Sequence, residues 1–105
     1  MRIVCHDGPE VTRLVLTGDL DMATTEDLDE HVADVLDGTR PRLLVVDVAG
    51  LSFCDSSGIH ALLSAQESAQ RRGVSFVVSN PVGILRRALR VTGLWEVLTT
   101  PSTVP

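Results

Sequence analysis

Apolar and polar positions follow two periods along this chain, and the switches between them predict its elements. Residues 3–5 and 11–17 are short runs of apolar and β-branched side chains, the composition of strands. Polar Asp7-Gly8-Pro9-Glu10 separates them, and so short a connection implies an antiparallel pair. From Thr24 or Thr25 to about Leu36 the period lengthens. Leu28, Val32, Val35 and Leu36 recur at the i, i+4, i+7, i+8 spacing of one helical face, with Thr25 placed to cap the segment. Glu26, Asp27, Asp29, Glu30, Asp34 and Asp37 occupy the other face, either as a solvated surface or as a surface for a basic partner.

Gly38-Thr39-Arg40-Pro41-Arg42 breaks that helix, and residues 43–48 follow as an apolar run interrupted only by Asp47. Such a run predicts a central strand buried on both faces, as in parallel sheets. A second amphipathic segment spans Ser57 to about Arg72, with Ile59, Leu62, Leu63 and Ala69 inward and Gly73 as its stop. Residues 74–78 predict another strand, and Ser79-Asn80-Pro81 introduces a third helix with Pro at its first turn. In that helix Ile84, Leu85, Ala88 and Leu89 face inward, leaving Arg86, Arg87 and Arg90 outside. Thr92-Gly93 ends it, and residues 94–98 read as a last short strand. The predicted order is β-β-α-β-α-β-α-β. Strands alternating with helices imply a largely parallel sheet, to which the first hairpin adds an antiparallel edge. Residues 1–100 are expected to form one domain, and residues 101–105 a disordered tail.

Two turns in this order carry polar side chains between a strand and a helix. Gly18-Asp19-Leu20-Asp21 follows the second strand, where Gly ends the strand and two carboxylates lie close together. Such a pair can bind metal or serve acid–base chemistry, or simply build the loop. The second turn, Asp55-Ser56-Ser57-Gly58, opens the second helix. Unpaired backbone N–H groups and the positive end of the helix dipole favour an oxyanion or phosphate there. Asp55 can accept hydrogen bonds from the first-turn amides, which leaves Ser56 as the hydroxyl facing solvent. The plain alternative is that Asp-Ser-Ser-Gly is only a good capping sequence. If the preceding strands run parallel, both turns share the end of the sheet where α/β proteins gather their ligand and partner surfaces.

Composition narrows the function classes. Of 105 residues, 44% are hydrophobic, enough to bury a core without staples. No apolar stretch approaches the length of a membrane span, the N-terminus lacks a signal-peptide pattern, and Cys5 and Cys54 have no C-x-x-C spacing. A cytoplasmic protein is the expectation, with no structural metal and no cofactor. Net charge is −5 and unevenly spread: eleven acids face four arginines up to Gly50, and three face five beyond it. Without a dense basic face, neither nucleic acid nor a membrane is an expected partner. The Cys54-Asp55-Ser56-Ser57-Gly58-Ile59-His60 run raises a Cys–His nucleophile. Cys54, however, ends an apolar approach as buried cysteines do, and His60 faces solvent or a partner. No glycine-rich nucleotide loop is present, and an enzyme is not expected.

Three stretches together resemble the STAS domain, in particular the anti-sigma factor antagonist (anti-anti-sigma factor) family. They are Gly18-Asp19-Leu20-Asp21, the central stretch from Val45 through Leu51 to Gly58, and Val91-Thr92-Gly93-Leu94. The resemblance covers almost the whole chain, and its middle stretch is the specific one. It implies a STAS-like α/β fold: a mixed, mostly parallel sheet with an N-terminal β-hairpin edge and three to four helices packed on it. It also implies a mechanism. The Ser after the loop Asp, here Ser56, is phosphorylated by an anti-sigma factor that is itself a serine kinase. Asp55, Ser57 and Gly58 support the loop, and Gly18, Asp19, Asp21 and Thr24 form an adjacent partner-binding loop. The unphosphorylated protein binds the anti-sigma factor and frees the sigma factor, and a serine phosphatase restores that state. The alternative is a STAS subunit of another assembly, such as a lipid-transport ATPase complex or a stress-signalling scaffold, with Ser56 structural.

Overall fold

The first hairpin is antiparallel and every later strand pairing is parallel. In the computed structural model, which describes residues 1–101, β1 (Arg2–His6) pairs with β2 (Val11–Leu20), β2 with β3 (Leu43–Cys54), and β3 with β4 (Ser75–Ser79). The sheet order is therefore β1-β2-β3-β4. Among the described residues four helices complete the fold: α1 (Thr25–Asp37), α2 (Ser56–Arg71), α3 (Gly83–Val91) and α4 (Trp95–Thr99). Pro101 is exposed, and the rest of the expected tail lies outside the described residues.

Strand parity divides the sheet into two unlike faces. Leu14 and Leu16 of β2, Leu44, Val46 and Val48 of β3, and Phe76 and Val78 of β4 join a single buried cluster. Leu28, Val32, Val35 and Leu36 of α1, with Ala61, Leu62, Ala65 and Ala69 of α2, close over it. Each large side chain fully buried there contributes roughly 1.5–3 kcal/mol relative to exposure. On the opposite face Arg13 registers with Val45 and Val77, and Val15 with Asp47 and Ser79. Arg13 meets Asp47 at 2.8 Å there, while Asn80 donates to the same carboxylate at 3.3 Å. The strand expected to be buried on both faces thus gives only one to the helix layer. Leu43 and Asp47 remain partly exposed, and Val45 is covered without joining the main cluster.

Several elements differ from the sequence reading. Gly18 does not end β2. It adopts φ +97° beside a shift in the β2–β3 register, and that irregularity lets the strand run on to Leu20. β3 likewise continues past Val48 to Cys54. Residues 94–98 are not a strand. Trp95–Thr99 is a short helix, because Leu94 and Leu98, four apart, turn inward against α2 and β4 while Glu96 and Val97 face out. Gln66 of α2 fastens it by donating to the Val97 carbonyl at 2.7 Å. A five-residue apolar run has no periodicity to separate the two states. α3 begins at Gly83 after an extended Val82, so Pro81 precedes the helix and does not form its first turn. In that register Leu85 and Leu89 are buried, whereas Ile84 is 62% exposed, contrary to the inward position expected for it. Ile59 and Leu63 are only partly buried against the core.

Candidate functional site

The parallel pairing of β2 and β3 brings the two polar turns together. Leu20 and Cys54 are the last paired residues of their strands, and both are buried. The chains leaving them are tied by a hydrogen bond from the Asp55 backbone N–H to the Leu20 carbonyl at 3.3 Å. Asp55 is extended, and its carboxylate accepts the Gly58 backbone N–H at 3.0 Å while its carbonyl accepts that of Ile59 at 3.1 Å. This is a full N-cap, and it starts α2 at Ser56. Ser56 is exposed on the first helical position, and Ser57 is half-buried beside it.

Gly58 is required by close packing and not by loop flexibility. A Cβ built there would lie 2.6 Å from both the Leu20 carbonyl oxygen and the Cys54 sulfur, and 3.0 Å from Leu20 Cγ. The missing side chain lets α2 begin directly against the end of β2. Burial, with the charge of Asp55 adding to it, pushes the Cys54 thiol up to about 11. At neutral pH it is a protonated core group and a poor nucleophile.

The neighbouring turn is built by its own polar atoms. The Thr24 hydroxyl accepts the Asp21 backbone N–H at 2.9 Å and donates to the Asp19 carbonyl at 2.9 Å. The Asp21 carboxylate accepts the Ala23 N–H at 3.0 Å. Thr24, not Thr25, occupies the N-cap position of α1, and its hydroxyl makes no bond to the helix amides because the turn employs it. Asp19 is exposed and Asp21 half-exposed. Among the described residues no three His, Cys, Asp or Glu side chains converge as metal ligands. Asp21 builds the turn through its carboxylate, and Asp19 contributes its backbone carbonyl.

Two surface features flank the start of α2. On the α1 side an open hollow of about 360 Å³ is lined by Met22, Thr25, Asp29, Ser56, Ser57 and His60, among others. On the α3 side Phe53, Val82 and Ile84 line a smaller groove and are substantially exposed. Sequence reasoning missed Met22, which is 79% exposed, although an unbranched apolar side chain among turn residues is a signal that could have found it. Phe53 lies in the stretch that leads to Ser56, but only the outward parity of β3 at that point reveals its exposure.

The family model described as "Mlab, STAS domain" matches residues 6–100, so the chain belongs to the STAS domain family. Its fold is shared with solved structures. An anti-sigma factor antagonist from Mycobacterium paratuberculosis is 25% identical, with a TM-score of 0.75 over 92% of this chain and 81% of that one. The anti-sigma factor antagonist SpoIIAA in its unphosphorylated form is 20% identical, with a TM-score of 0.76 over 89% and 82%. A sulfate transporter family protein from Wolinella succinogenes is 26% identical, with a TM-score of 0.66 over 84% and 70%.

Proposed function

We propose that this STAS domain is an anti-sigma factor antagonist switched at Ser56. In its unphosphorylated form it binds an anti-sigma factor that is a serine kinase, and the bound sigma factor is released. Phosphorylation of Ser56 by that kinase ends the interaction, and a serine phosphatase restores it. The protein acts as a cytoplasmic binding module, not as an enzyme. One observation carries the reading: Ser56 is an exposed hydroxyl on the first turn of a capped helix, hydrogen-bonded through Asp55 to the end of β2, which leads into the Asp21–Thr24 turn. Similarity to two anti-sigma factor antagonists, one named by its unphosphorylated form, supports it.

The energetics suit a switch that leaves the fold unchanged. A phosphate adds about −1.5 to −2 charge and three acceptor oxygens. At a helix N-terminus an anion gains roughly 0.3–1 kcal/mol, so the domain tolerates it. At a docked surface the same group must be desolvated or set against partner carboxylates, which costs several kcal/mol. About 4 kcal/mol corresponds to a thousandfold in affinity. The test is phosphorylation by the cognate anti-sigma kinase with ATP, mapped by mass spectrometry. Ser56→Ala should abolish labelling and keep binding, and the phosphorylated protein should bind about a thousandfold more weakly. Labelling confined to Ser57, or equal binding by both forms, overturns the assignment.

A second reading is a STAS subunit of another assembly, such as a lipid-transport ATPase complex. The similarity to a sulfate transporter family protein favours it. A stable complex indifferent to charge at position 56 is its signature.

A further inference from the structure

Resting on the reading of Ser56 as a phosphate acceptor, we propose that His60 is the counter-ion of the phosphorylated serine and makes the modified state sensitive to pH. The two residues are four apart on α2, where helical neighbours lie about 5–6 Å from Cβ to Cβ. Side chains on a helix lean toward its N-terminus, so the His60 ring covers the turn that holds Ser56 and Ser57. All three line the same open hollow, and His60 is exposed and free to turn toward a new anion. Of the residues lining that hollow, His60 alone can carry positive charge.

The charged side chains on the elements around this end of α2 include several carboxylates, and the Met1 amine lies outside the hollow, beside Gly18. Asp29 of α1 shares the hollow, Glu26 and Asp27 lie in the first turn of α1, Asp55 caps α2, Asp19 stands at the end of β2 and Asp21 in the turn after it. Within the hollow, a dianion without His60 would meet Asp29 as its one charged neighbour among the lining residues, beyond the helix amides. With His60 protonated, one of its two charges is offset where it forms. A protonated imidazole and a phosphate dianion attract, so the two are linked, and each favours the charged form of the other. In mild acid the modified face carries less net charge than in mild alkali. Phosphorylation therefore repels a docking partner least where His60 is protonated.

The test uses the full chain with phosphoserine installed at position 56 during translation, so that no kinase is needed. Phosphorus NMR follows the second ionisation of that phosphate in the otherwise native chain and in His60→Gln, whose exposed site leaves the fold intact. The expected midpoint is lower by about 0.3–1 pH unit when His60 is present, from one unit charge at this distance screened at physiological salt. That difference should collapse in about 1 M salt, where the screening length is about 3 Å. Equal midpoints in the two backgrounds, or a difference untouched by salt, overturn the pairing while leaving Ser56 as the proposed phosphate acceptor. Failure of an anti-sigma kinase to label Ser56 would instead overturn the proposed function and leave the measured pairing standing.

Discussion

Gly58→Ala separates local from tertiary control of the site, because the two predict opposite signs. Taken as a position in the first turn of a helix, Gly58 should be improved by alanine, by up to about 1 kcal/mol. The structure reverses this. The added methyl would stand 2.6 Å from the Leu20 carbonyl oxygen and 2.6 Å from the Cys54 sulfur, well inside contact distance. The sulfur belongs to a side chain and can give way, but the carbonyl is backbone of a paired strand. α2 must therefore back away from β2, straining the hydrogen bond from Asp55 to Leu20 and the cap bond that Gly58 donates to the Asp55 carboxylate. Overpacking of this kind costs about 1–3 kcal/mol, and a weakened cap about 0.5–2 kcal/mol. After the propensity gain, a net loss of about 2 kcal/mol remains. For a domain of this size that corresponds to a fall in Tm of roughly 8–16 °C. Urea unfolding with an unchanged m-value measures it. Adding Gly58→Ala to a Cys54→Ala background should still destabilise, though by less, because the carbonyl contact persists. A Gly58→Ala variant as stable as the parent would refute the close-approach argument. No destabilisation at all in the Cys54→Ala background would move the constraint from β2 to the cysteine.

Two further outcomes follow from the titrating groups. Burial raises the Cys54 thiol to about 11 from an ordinary 9.0, so its stabilising contribution is complete below about pH 9 and is lost as pH rises through 11. Cys54→Ala should flatten that alkaline decline in urea midpoint. In the native protein at about pH 8 only the exposed Cys5 should react promptly with a thiol reagent, and prompt labelling of both cysteines would contradict the packing around Cys54. Burial alone would raise the Asp47 carboxyl, but hydrogen bonds from Arg13, the Ala49 amide and Asn80, with the charge of Arg13, outweigh it and hold the group below its ordinary range. Its contribution is present above the unfolded carboxyl range and lost as pH falls through the lower folded value. Arg13→Gln should move the acid-unfolding midpoint upward while costing under about 1 kcal/mol near neutrality, since Arg13 is 45% exposed. An unmoved acid midpoint would show that the pair is not coupled.

Much of this protein is legible in its order of residues. The α1 stripe of Leu28, Val32, Val35 and Leu36 is buried as its spacing requires, because a 3.6-residue period places those side chains on one side of the helix wherever it packs. The apolar β3 run, the hairpin edge and the start of α2 after Asp55 follow from equally local rules of strand composition and capping. Other features depended on partners distant in the chain. Residues 94–98 became helical because α2 and β4 offered a surface to Leu94 and Leu98, with Gln66 to hold the Val97 carbonyl. Ile84 was left outside by the position at which α3 starts after Val82. β2 passed through Gly18 because β3 continued beside it to Cys54. The joining of the turn after Leu20 and the Asp55–Gly58 turn into one surface likewise required the parallel pairing of strands more than twenty residues apart. Periodicity and capping are written in near neighbours, so the sequence by itself determined the elements and the polar groups at their ends. Which of those groups meet, and why position 58 must lack a side chain, was decided only when β2 and the start of α2 came within contact distance.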